Sequence, residues 1–415
     1  MKVLFITYYW PPCGGVSAQR ILYFVKYLAE MGVDCHVIIP ENPSYYVVDE
    51  ELKDKIPNDI TLHKVRINDI TRFIKKVKSV SKPGNIKQKS NGLISCVMGW
   101  IRANYFIPDP KVNWVKPVIK KATEIIEHEQ IDLIFTNGSP HSVHLSGVEL
   151  KKKFDVKWIA DFRDPWTGMD YFENLNLSTN SLKKHQTLEK KVITSTDLTL
   201  TVSPTWEEDF KKLGATKTAF ITNGFDEIID PIKIEQVYIS HIGSIHDDRS
   251  IKPIISYIQS SNQACKLLLV GDVSEKIRNE VISVLPEKKY KFTGNVSHNE
   301  AKKWIAKSKI LLLPINQAED SNGRIPAKLF EYIASGKSIL LLGNTNGDAA
   351  QILDTIENTG TFEYDKVEEI HKFIDSQISI SNPNQNHANI AKFDRKELAK
   401  ELYIILKKMV IQNKE

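Results

Sequence analysis

Residues 324–336 read RIPAKLFEYIASG, and two apolar runs flank them at 310–315 and 338–343. This order predicts a buried strand, a loop, a helix that begins at Pro326 and a second buried strand. Strands that alternate with helices in this way are typical of parallel sheets covered by helices. The stretch therefore indicates an α/β fold.

On the predicted helix, Lys328 and Glu331 are three residues apart, so a cation and a carboxylate face one point near its start. A carboxylate can accept hydrogen bonds from both hydroxyls of a ribose, while a lysine and free N–H groups can hold a diphosphate. The pair therefore suits a sugar nucleotide. The alternative is an ordinary Lys–Glu pair on the surface of an amphipathic helix.

The size and composition of the chain predict two globular domains. Its 415 residues exceed what one hydrophobic core usually supports, and 41% apolar with 26% charged residues is typical of a soluble protein. No apolar run is long enough to cross a bilayer, and the first residues, MKVLFITYYWPP, lack the pattern of a signal peptide, so a cytoplasmic location is expected. The four cysteines form no CxxC pair, which indicates neither a disulfide framework nor a zinc site.

The chain opens with a strand–helix–strand pattern. Residues 3–7 and 35–40 read as buried strands around a helix at 17–31, as at the start of a doubly wound sheet. The first turn contains Gly14 and Gly15 but no GxGxxG fingerprint, so no nicotinamide or flavin cofactor is expected. The glycines either let the backbone approach a substrate at the carboxyl end of the strand or form a simple tight turn.

The motif NGSPHSVHLSG follows a later strand of the first domain. Ser139 is expected to cap a helix whose first residue is Pro140, which places His141 in the first turn. A helix start disfavours imidazolium, so His141 should be neutral. It could then hydrogen-bond a sugar hydroxyl or carbonyl, or it is incidental to the cap.

The motif DFRDPW follows a strand at 156–160 and places Asp161, Arg163 and Asp164 at the carboxyl end of that strand. These charges either form part of a binding cleft, or Arg163 pairs with one of the aspartates as a structural clamp. The DxD signature of metal-dependent sugar transfer is absent from the sequence, so no metal ion is expected.

The motif TNGFD at 222–226 marks the expected end of the first domain, and a second α/β domain begins with a strand at 238–243. Gly243 and Ser244 end that strand and Arg249 is close behind, which is a typical place for an anion site. After Phe393 the chain continues as one charged amphipathic helix. The predicted divisions are therefore 1–226, 227–392 and a C-terminal helix at 393–415.

The positive charge of the chain is concentrated in one segment. The net charge is +5, yet the interval from Arg72 to Arg102 contains many basic residues and no acidic one. Basic residues interleaved with apolar and aromatic ones, over about 72–107, suit an insertion that lies against anionic lipid headgroups. A solvated face or a flexible insertion is the alternative. Nucleic acid is not an expected partner, because the overall charge is low and no nucleic-acid motif is present.

Taken together, these motifs resemble those of the retaining nucleotide-sugar glycosyltransferases of the GT-B fold, in family four, the bacterial polysaccharide and glycolipid type. The resemblance spans nearly the whole chain: the GG loop after the first strand, SPHS, ADFRDPW, TNGFD, HIGS with a nearby arginine, and PAKLFEYIASGK. It implies two facing Rossmann-like domains with a cleft between them, the first for the acceptor and the second for the nucleotide sugar. The C-terminal helix would cross back to the N-terminal domain.

The resemblance also implies roles for individual residues. Glu331 would bind the donor ribose, Lys328 and Arg249 the diphosphate, and His141 the donor sugar near the reacting carbon. The residues with implied catalytic roles are His141, Arg249 and Lys328. The implied donor site comprises Gly243, Ser244, Arg249, Ile325, Lys328, Leu329 and Glu331. The implied acceptor and diphosphate side comprises Gly14, Gly15, Asp161, Arg163 and Asp164.

The sequence departs from the family pattern at one position. The family has two glutamates separated by seven residues, but Gly323 stands where the first of them would precede Glu331. Either Glu319 or Asp320 replaces that glutamate from the loop, or backbone amides recognise the donor sugar.

The implied reaction moves a hexosyl or N-acetylhexosaminyl group from a nucleotide-diphosphate sugar, with UDP as the expected nucleotide, to a lipid-linked or saccharide acceptor. Anomeric configuration would be retained, and cations and N–H groups would stabilise the leaving diphosphate without a metal or other cofactor. The implied setting is surface polysaccharide, lipopolysaccharide or glycolipid biosynthesis, peripheral on the inner face of the plasma membrane. The alternatives are a nucleotide-sugar epimerase of similar fold and a non-catalytic nucleotide-sugar-binding protein.

Overall fold

A computed structural model of the chain describes residues 1–67, 93–169, 172, 175–230, 232, 235–380 and 387–411, without the side chains of 93–98, 319–320 and 387–388. The chain divides into two compact units. The first comprises Met1–Thr222 and Arg395–Glu415, and the second comprises Asn223–Asp394.

In its described residues, the first unit contains a parallel sheet of seven strands in the order β3-β2-β1-β4-β5-β6-β7. In chain order the strands are β1 (Lys2–Thr7), β2 (Asp34–Pro40), β3 (Thr61–Val65), β4 (Leu133–Asn137), β5 (Lys157–Arg163), β6 (Leu198–Thr201) and β7 (Thr218–Phe220). Val3 in β1 pairs with Cys35 on one side and with Leu133 on the other. The strand order therefore reverses beside β1, which creates a doubly wound switch point where ligands of such sheets bind.

Helices cover both faces of this sheet. The first six helices described in this unit are α1 (Val16–Glu30), α2 (Leu93–Tyr105), α3 (Val115–Glu129), α4 (Ser142–Lys153), α5 (Thr179–Ser195) and α6 (Pro204–Lys212). Two of these helices are capped by the side chain of the residue that precedes them: Ser178 caps α5, and Ser203 caps α6 ahead of Pro204. Two apolar clusters, one on each face of the sheet, form the core.

The second unit contains a parallel sheet whose described strands are in the order β10-β9-β8-β11-β12-β13. They are β8 (Val237–Ile242), β9 (Cys265–Val270), β10 (Tyr290–Gly294), β11 (Ile310–Pro314), β12 (Ser338–Leu342) and β13 (Thr359–Phe362). Its helices are α7 (Lys252–Ser260), α8 (Glu275–Val284), α9 (His298–Lys307), α10 (Lys328–Ala334), α11 (Asp348–Leu353), α12 (Val367–Ser379) and α13 (His387–Ile390). Every residue of β11 and β12 is buried, as expected for central parallel strands.

The last helix, α14 (Arg395–Ile411), belongs to the first unit although it follows the second in sequence. Leu398, Leu402 and Leu406 join the apolar cluster that α1 forms on the sheet. The guanidinium of Arg395 also donates to Oε1 of Gln19 at 2.9 Å. The expected α/β class with two Rossmann-like sheets is confirmed. In the described ranges, no helix is both long and apolar enough to cross a membrane.

Candidate functional site

In the second unit, two of the predicted diphosphate-binding residues meet at the carboxyl end of β8. Gly243 follows this strand with a φ of 110°, a conformation that favours glycine. A Cβ atom at Gly243 would lie 2.8 Å from Nζ of Lys328, the first residue of α10. Glycine at this position therefore lets the lysine side chain reach the backbone at the end of the strand, where ligands of parallel sheets bind.

Lys328 lies in an environment that disfavours its charge. Its side chain is partly buried, and Nζ lies 3.1 Å from Nε2 of His241 in β8. Burial lowers the pKa of Lys328 to about 7; the charge of Arg249 acts in the same direction, and Glu331 opposes both. The lysine therefore loses its proton near neutral pH, and an anion bound beside it would restore the charged form.

Arg249 brings a second cation to the same place. Its Nε is buried and has no hydrogen-bond partner in the part of the chain that the structure describes. A buried N–H without an acceptor costs about 1–3 kcal/mol, which an anionic ligand would relieve. Lys328 and Arg249 together are therefore suited to a diphosphate.

The backbone at this point is only partly available to a ligand. The amide of Gly243 donates to the carbonyl of Val270 at 2.7 Å, so it is already used within the unit. Ser244, the next residue, is exposed. Gly243 therefore contributes its lack of a side chain at this point, and its amide is not free for a ligand.

Glu331 lies one turn into α10 and keeps 25% of its side chain exposed. Its Oε1 lies 3.7 Å from Nε2 of His298, the first residue of α9, an ion pair only when that imidazole is protonated. The sequence predicted that Lys328 and Glu331 face one point. In the structure their nearest partners differ, with His241 beside the lysine and His298 beside the glutamate, and the carboxylate can still accept hydroxyl donors.

Two predicted donor-site residues lie in the core. Ile325 is 7% exposed and Leu329 is fully buried, and both belong to the same apolar cluster of the second unit. The helix itself begins at Lys328 instead of Pro326, because residues 326 and 327 form a turn in which the amide of Leu329 donates to Pro326 O at 2.9 Å. Leu329 therefore supports the position of Lys328 and offers no side-chain surface to a donor.

In the first unit, the predicted acceptor-side residues meet where β1 and β5 end. Gly15, with a φ of 91°, is the N-cap of α1. Arg163, itself at a φ of 51°, donates to Oγ of Ser17 in the first turn of α1 and to the carboxylate of Asp164. The structure thus places DFRDPW beside the glycine loop, and Arg163 pairs with Asp164 as one of the two predicted arrangements.

Gly14 has a packing reason to be glycine. Its amide donates to Val47 O at 3.0 Å, and a Cβ atom here would lie 2.8 Å from Cγ1 of Val47. The loop that contains Val47 therefore folds directly over the glycine turn. Tyr46, Val47 and Val48 of that loop are exposed.

Asp161 belongs to the interior of the first unit. It is fully buried, and its carboxylate accepts from Nε and Nη2 of Arg20 at 3.0 and 3.1 Å and from Nδ2 of Asn137 at 2.9 Å. Arg20 also donates to the carbonyls of Ile221 and Thr222 at 2.8 and 3.1 Å. The partner of Asp161 is therefore Arg20 rather than Arg163. With both oxygens occupied, Asp161 ties α1 to the sheet and is not open to an acceptor.

His141 is buried with free hydrogen-bonding capacity. It is 7% exposed, and within the described residues neither of its ring nitrogens has a partner. The ring stacks on Trp166 with centroids 5.2 Å apart and 2° between the planes. Burial lowers the pKa of His141 to about 3. The imidazole is therefore neutral as predicted, although the main cause is burial and not the helix start.

The cap of α4 comes from outside the SPHS motif. The helix begins at Ser142 rather than Pro140, and Ser139 does not cap it. The carboxylate of Asp109 instead accepts from N and Oγ of Ser142, both at 2.8 Å. This corrects the predicted start, and the prediction failed because the capping side chain is distant in sequence.

Two residues of α5 hold the tryptophan on which His141 stacks. Nε1 of Trp166 donates to Nδ1 of His185 at 3.0 Å, and its amide donates to Oε1 of Glu189 at 3.1 Å. Glu189 also accepts from the amide of Thr167 at 3.3 Å. The helix therefore orients His141 indirectly, through Trp166.

Sequence reasoning missed the residues that support the predicted ones. They are Arg20, Asp109, His185, Glu189 and His241. Each is a polar residue inside or beside an apolar pattern, for example His241 in the strand VYISHI, and such an interruption is the one signal that could have drawn attention to them.

Two predictions fall outside the described residues. The basic insertion at 72–107 is described only from residue 93 onward, and the side chains of Glu319 and Asp320, the candidates for the missing glutamate, are not described. Among the side chains that are described, no group of three or more His, Cys, Asp or Glu residues is arranged to hold a metal ion.

Solved structures share this fold over almost the whole chain. The sucrose-phosphate synthase of Thermosynechococcus elongatus matches with a TM-score of 0.66 at 11% identity, over 99% of both chains. HepE of Anabaena in complex with UDP-glucose matches with a TM-score of 0.63 at 14% identity, over 98% of this chain and 100% of that chain. A glycosyltransferase from Rickettsia africae gives a TM-score of 0.61 at 16% identity, over 99% of this chain and 98% of that one.

No protein-family profile and no curated protein sequence matches the chain. The likeness therefore lies in the structure, and at these identities it shows the fold alone. The chain has the GT-B fold, as the motifs of its sequence indicated.

Proposed function

We propose that this chain is a glycosyltransferase that moves a sugar from a UDP-sugar to an acceptor with retention of anomeric configuration, as in family four. The observation that carries the proposal is the pair of cations at the end of β8, where Lys328 lies against Gly243 and Arg249 has a buried Nε with no partner among the described residues. One protein of similar fold, HepE, is described in complex with UDP-glucose, which supports the choice of nucleotide.

On the donor side, Lys328 and Arg249 hold the diphosphate and Glu331 accepts both ribose hydroxyls. As the bond between the anomeric carbon and the phosphate oxygen breaks, negative charge grows on that oxygen, and the two cations stabilise it. The acceptor hydroxyl attacks the same face of the sugar, and its proton passes to the departing phosphate oxygen. Because two side chains supply the positive charge, transfer is expected to proceed without an added metal.

The first unit provides the acceptor side in this proposal. Gly15 and Arg163 border the region where the acceptor is held, and Arg163 is fixed there by Ser17 and Asp164. His141 donates or accepts one hydrogen bond with the donor sugar through a ring nitrogen that has no partner within the described structure. A neutral imidazole suits this role because it can act as donor or acceptor without a buried charge.

We further propose that the acceptor is lipid-linked and that α2 contacts an anionic membrane. This helix exposes Trp100 (45%), Ile101 (38%) and Tyr105 (70%), and its sequence contains no acidic residue. Aromatic side chains with a nearby Arg102 suit the headgroup region of a bilayer. Such contact would place the enzyme on the inner face of the membrane, in surface polysaccharide or glycolipid synthesis.

Calorimetric titration of UDP, GDP, ADP and TDP into the purified chain, with and without EDTA, tests the donor assignment. UDP is expected to bind most tightly and equally well in EDTA. Incubation with UDP-glucose, UDP-galactose and UDP-N-acetylglucosamine, followed by NMR of any product or slow hydrolysate, then reports anomeric configuration. Absence of binding by all four nucleotides would reject the transferase proposal.

Flotation with vesicles tests the membrane proposal. The protein should float with vesicles that contain phosphatidylglycerol, and Trp100→Ser with Tyr105→Ser should reduce the bound fraction. An unchanged fraction would contradict the role of α2. Ile404→Ser on α14, also an exposed apolar position at 52%, is the matched control.

A further inference from the structure

His241 is a buried imidazole that the proposed chemistry does not yet use. It lies in β8, is fully buried, and contacts three polar groups. Nδ1 is 3.0 Å from the carbonyl of Leu312, while Nε2 is 3.3 Å from the carbonyl of Ser244 and 3.1 Å from Nζ of Lys328. A carbonyl can only accept, so one ring nitrogen must carry a proton toward it.

The geometry assigns that proton to Nδ1. The contact with Leu312 is the shorter of the two carbonyl contacts, and a proton on Nδ1 leaves the lone pair of Nε2 facing Lys328, which carries protons to donate. Burial keeps His241 neutral by lowering its pKa well below the usual value, and the charge of Lys328 adds to this effect whenever the lysine is protonated. The lysine therefore has a neutral acceptor in place of a carboxylate.

The backbone beside Lys328 is closely packed. A Cβ atom at Gly271 would lie 2.7 Å from the carbonyl carbon of Gly243, so the two backbones are in close contact. The hydroxyl of Tyr332 accepts from the amide of Ile242 at 2.9 Å, which fixes the end of β8 against α10.

The charges around Lys328 also favour a neutral amine before a ligand binds. Among the described residues, the ionisable groups that act on it are His241 from β8, Arg249 from the loop after β8, and Glu331 from its own helix. Arg249 repels a second positive charge, and no described carboxylate forms an ion pair with Nζ, since Glu331 faces His298. The negative charge of a bound diphosphate would instead favour the ammonium form of Lys328.

We propose that His241 is the positioning residue for Lys328, and that a nucleoside diphosphate binds at this site together with one proton that converts the lysine to its ammonium form. This inference rests on the proposed function, because it needs a diphosphate at the end of β8. Nε2 of His241 holds the amine in place before binding. On binding, Lys328 takes a proton from solvent and donates to a phosphate oxygen while it keeps its hydrogen bond to His241.

The first test counts protons in the unaltered protein. UDP is titrated calorimetrically between pH 7.5 and 9.0 in pairs of buffers with different ionisation enthalpies, above the range in which the phosphate itself titrates. If UDP does not bind and GDP, ADP or TDP does, that nucleotide replaces it. We expect uptake of close to one proton per nucleotide near pH 8 and above, and an affinity that falls by up to about tenfold per pH unit.

Three variants then separate the effect of His241 on the position of Lys328 from an effect on folding. Lys328→Arg carries a permanent charge, so it should show no proton uptake and a flat pH profile. His241→Asn retains a donor near Nδ1 but loses the acceptor at Nε2, and should bind UDP about tenfold more weakly than the unaltered protein at pH 8. His241→Gln places an amide oxygen near Nε2 and should recover most of that loss with proton uptake intact. Thermal unfolding of each variant reports whether the fold is preserved.

The outcomes distinguish this inference from the proposed function. If UDP binds the unaltered protein without proton uptake, or if folded His241→Asn binds as tightly as His241→Gln, the inference is wrong and the transferase proposal stands. If none of the four nucleotides binds the unaltered protein, both are wrong.

Discussion

Glu331 is the residue whose proposed role can be tested most directly. Its carboxylate is partly exposed on α10, and the ion-pair partner found for it among the described residues is the imidazole of His298. If it accepts both ribose hydroxyls, Glu331→Ala removes two charge-assisted hydrogen bonds of about 1.5–3 kcal/mol each, less the value of replacement water. The affinity for UDP should then fall roughly 10–100-fold, as measured by calorimetry.

A comparison of UDP with 2′-deoxy-UDP tests whether Glu331 contacts the ribose itself. The unaltered protein should bind 2′-deoxy-UDP more weakly than UDP, whereas Glu331→Ala should bind the two alike. Glu369→Ala, an exposed glutamate in the first turn of α12, serves as the matched control and should bind like the unaltered protein. Discrimination between the two ligands that survives in Glu331→Ala would remove this residue from the ribose site.

His141 should affect transfer far more than nucleotide binding. Both of its ring nitrogens are unpartnered within the described structure, and the role proposed for it is one hydrogen bond to the donor sugar. His141→Ala should reduce kcat roughly 10²–10³-fold, the loss expected for one preorganised hydrogen bond near the reacting carbon, and leave UDP affinity within about threefold. Initial rates and calorimetry on the same preparation measure both. Full activity in a folded variant would exclude His141 from the reaction.

At the scale of elements, periodicity predicted the strands and most helices because burial imposes it directly. The runs at 310–315 and 338–343 became β11 and β12, with every residue buried. Helix ends were less predictable. Asp109 caps α4 from a distant loop, and a turn at 326–327 delays α10 until Lys328. Such contacts depend on tertiary structure and leave no local pattern in the sequence.

In the candidate site, too, the sequence indicated some features, while others depend on tertiary contacts. The sequence indicated Arg249 and His141 because they follow strand ends, where ligands of such sheets bind, and Lys328 because it lies near a helix start three residues from Glu331. It could not show that Asp161 is paired with Arg20, or that His241 lies beneath Lys328, since both facts depend on which strands become neighbours. Sequence position indicated the candidate site, while the partners of each charge required the structure.

The Arg20–Asp161 pair predicts a large effect on the stability of the first unit. Both side chains are almost fully buried, so Arg20→Met leaves an unpaired carboxylate in the interior, at a cost of about 3–5 kcal/mol. Urea unfolding followed by the fluorescence of the buried Trp158 and Trp166 measures it. The double variant Arg20→Met with Asp161→Leu should recover much of the loss, because no charge then remains unpaired. A double variant as unstable as the single one would contradict this account.

At the scale of the whole molecule, the end of the chain helps to form the unit in which the chain begins. Helix α14 follows the second unit in sequence, yet Leu398, Leu402 and Leu406 complete a core cluster of the first. The sheet face and α1 therefore lack part of their apolar cover until the last residues are available. The stability of the first unit should depend on α14 more than that of the second unit does.

Two variants on one helix test this dependence. Leu402 is fully buried and Ile404 is 52% exposed. Leu402→Ala should lower the free energy of unfolding of the first unit by about 2–5 kcal/mol, through lost burial and the cavity that remains. Ile404→Ala should change it by no more than about 0.5 kcal/mol. Native-state hydrogen exchange measures each unit separately, with the amides of β1 reporting on the first and those of β12 on the second. Faster exchange in β1 alone would follow if α14 supports only the first unit, whereas equal acceleration in β12 would mean that the two units unfold together.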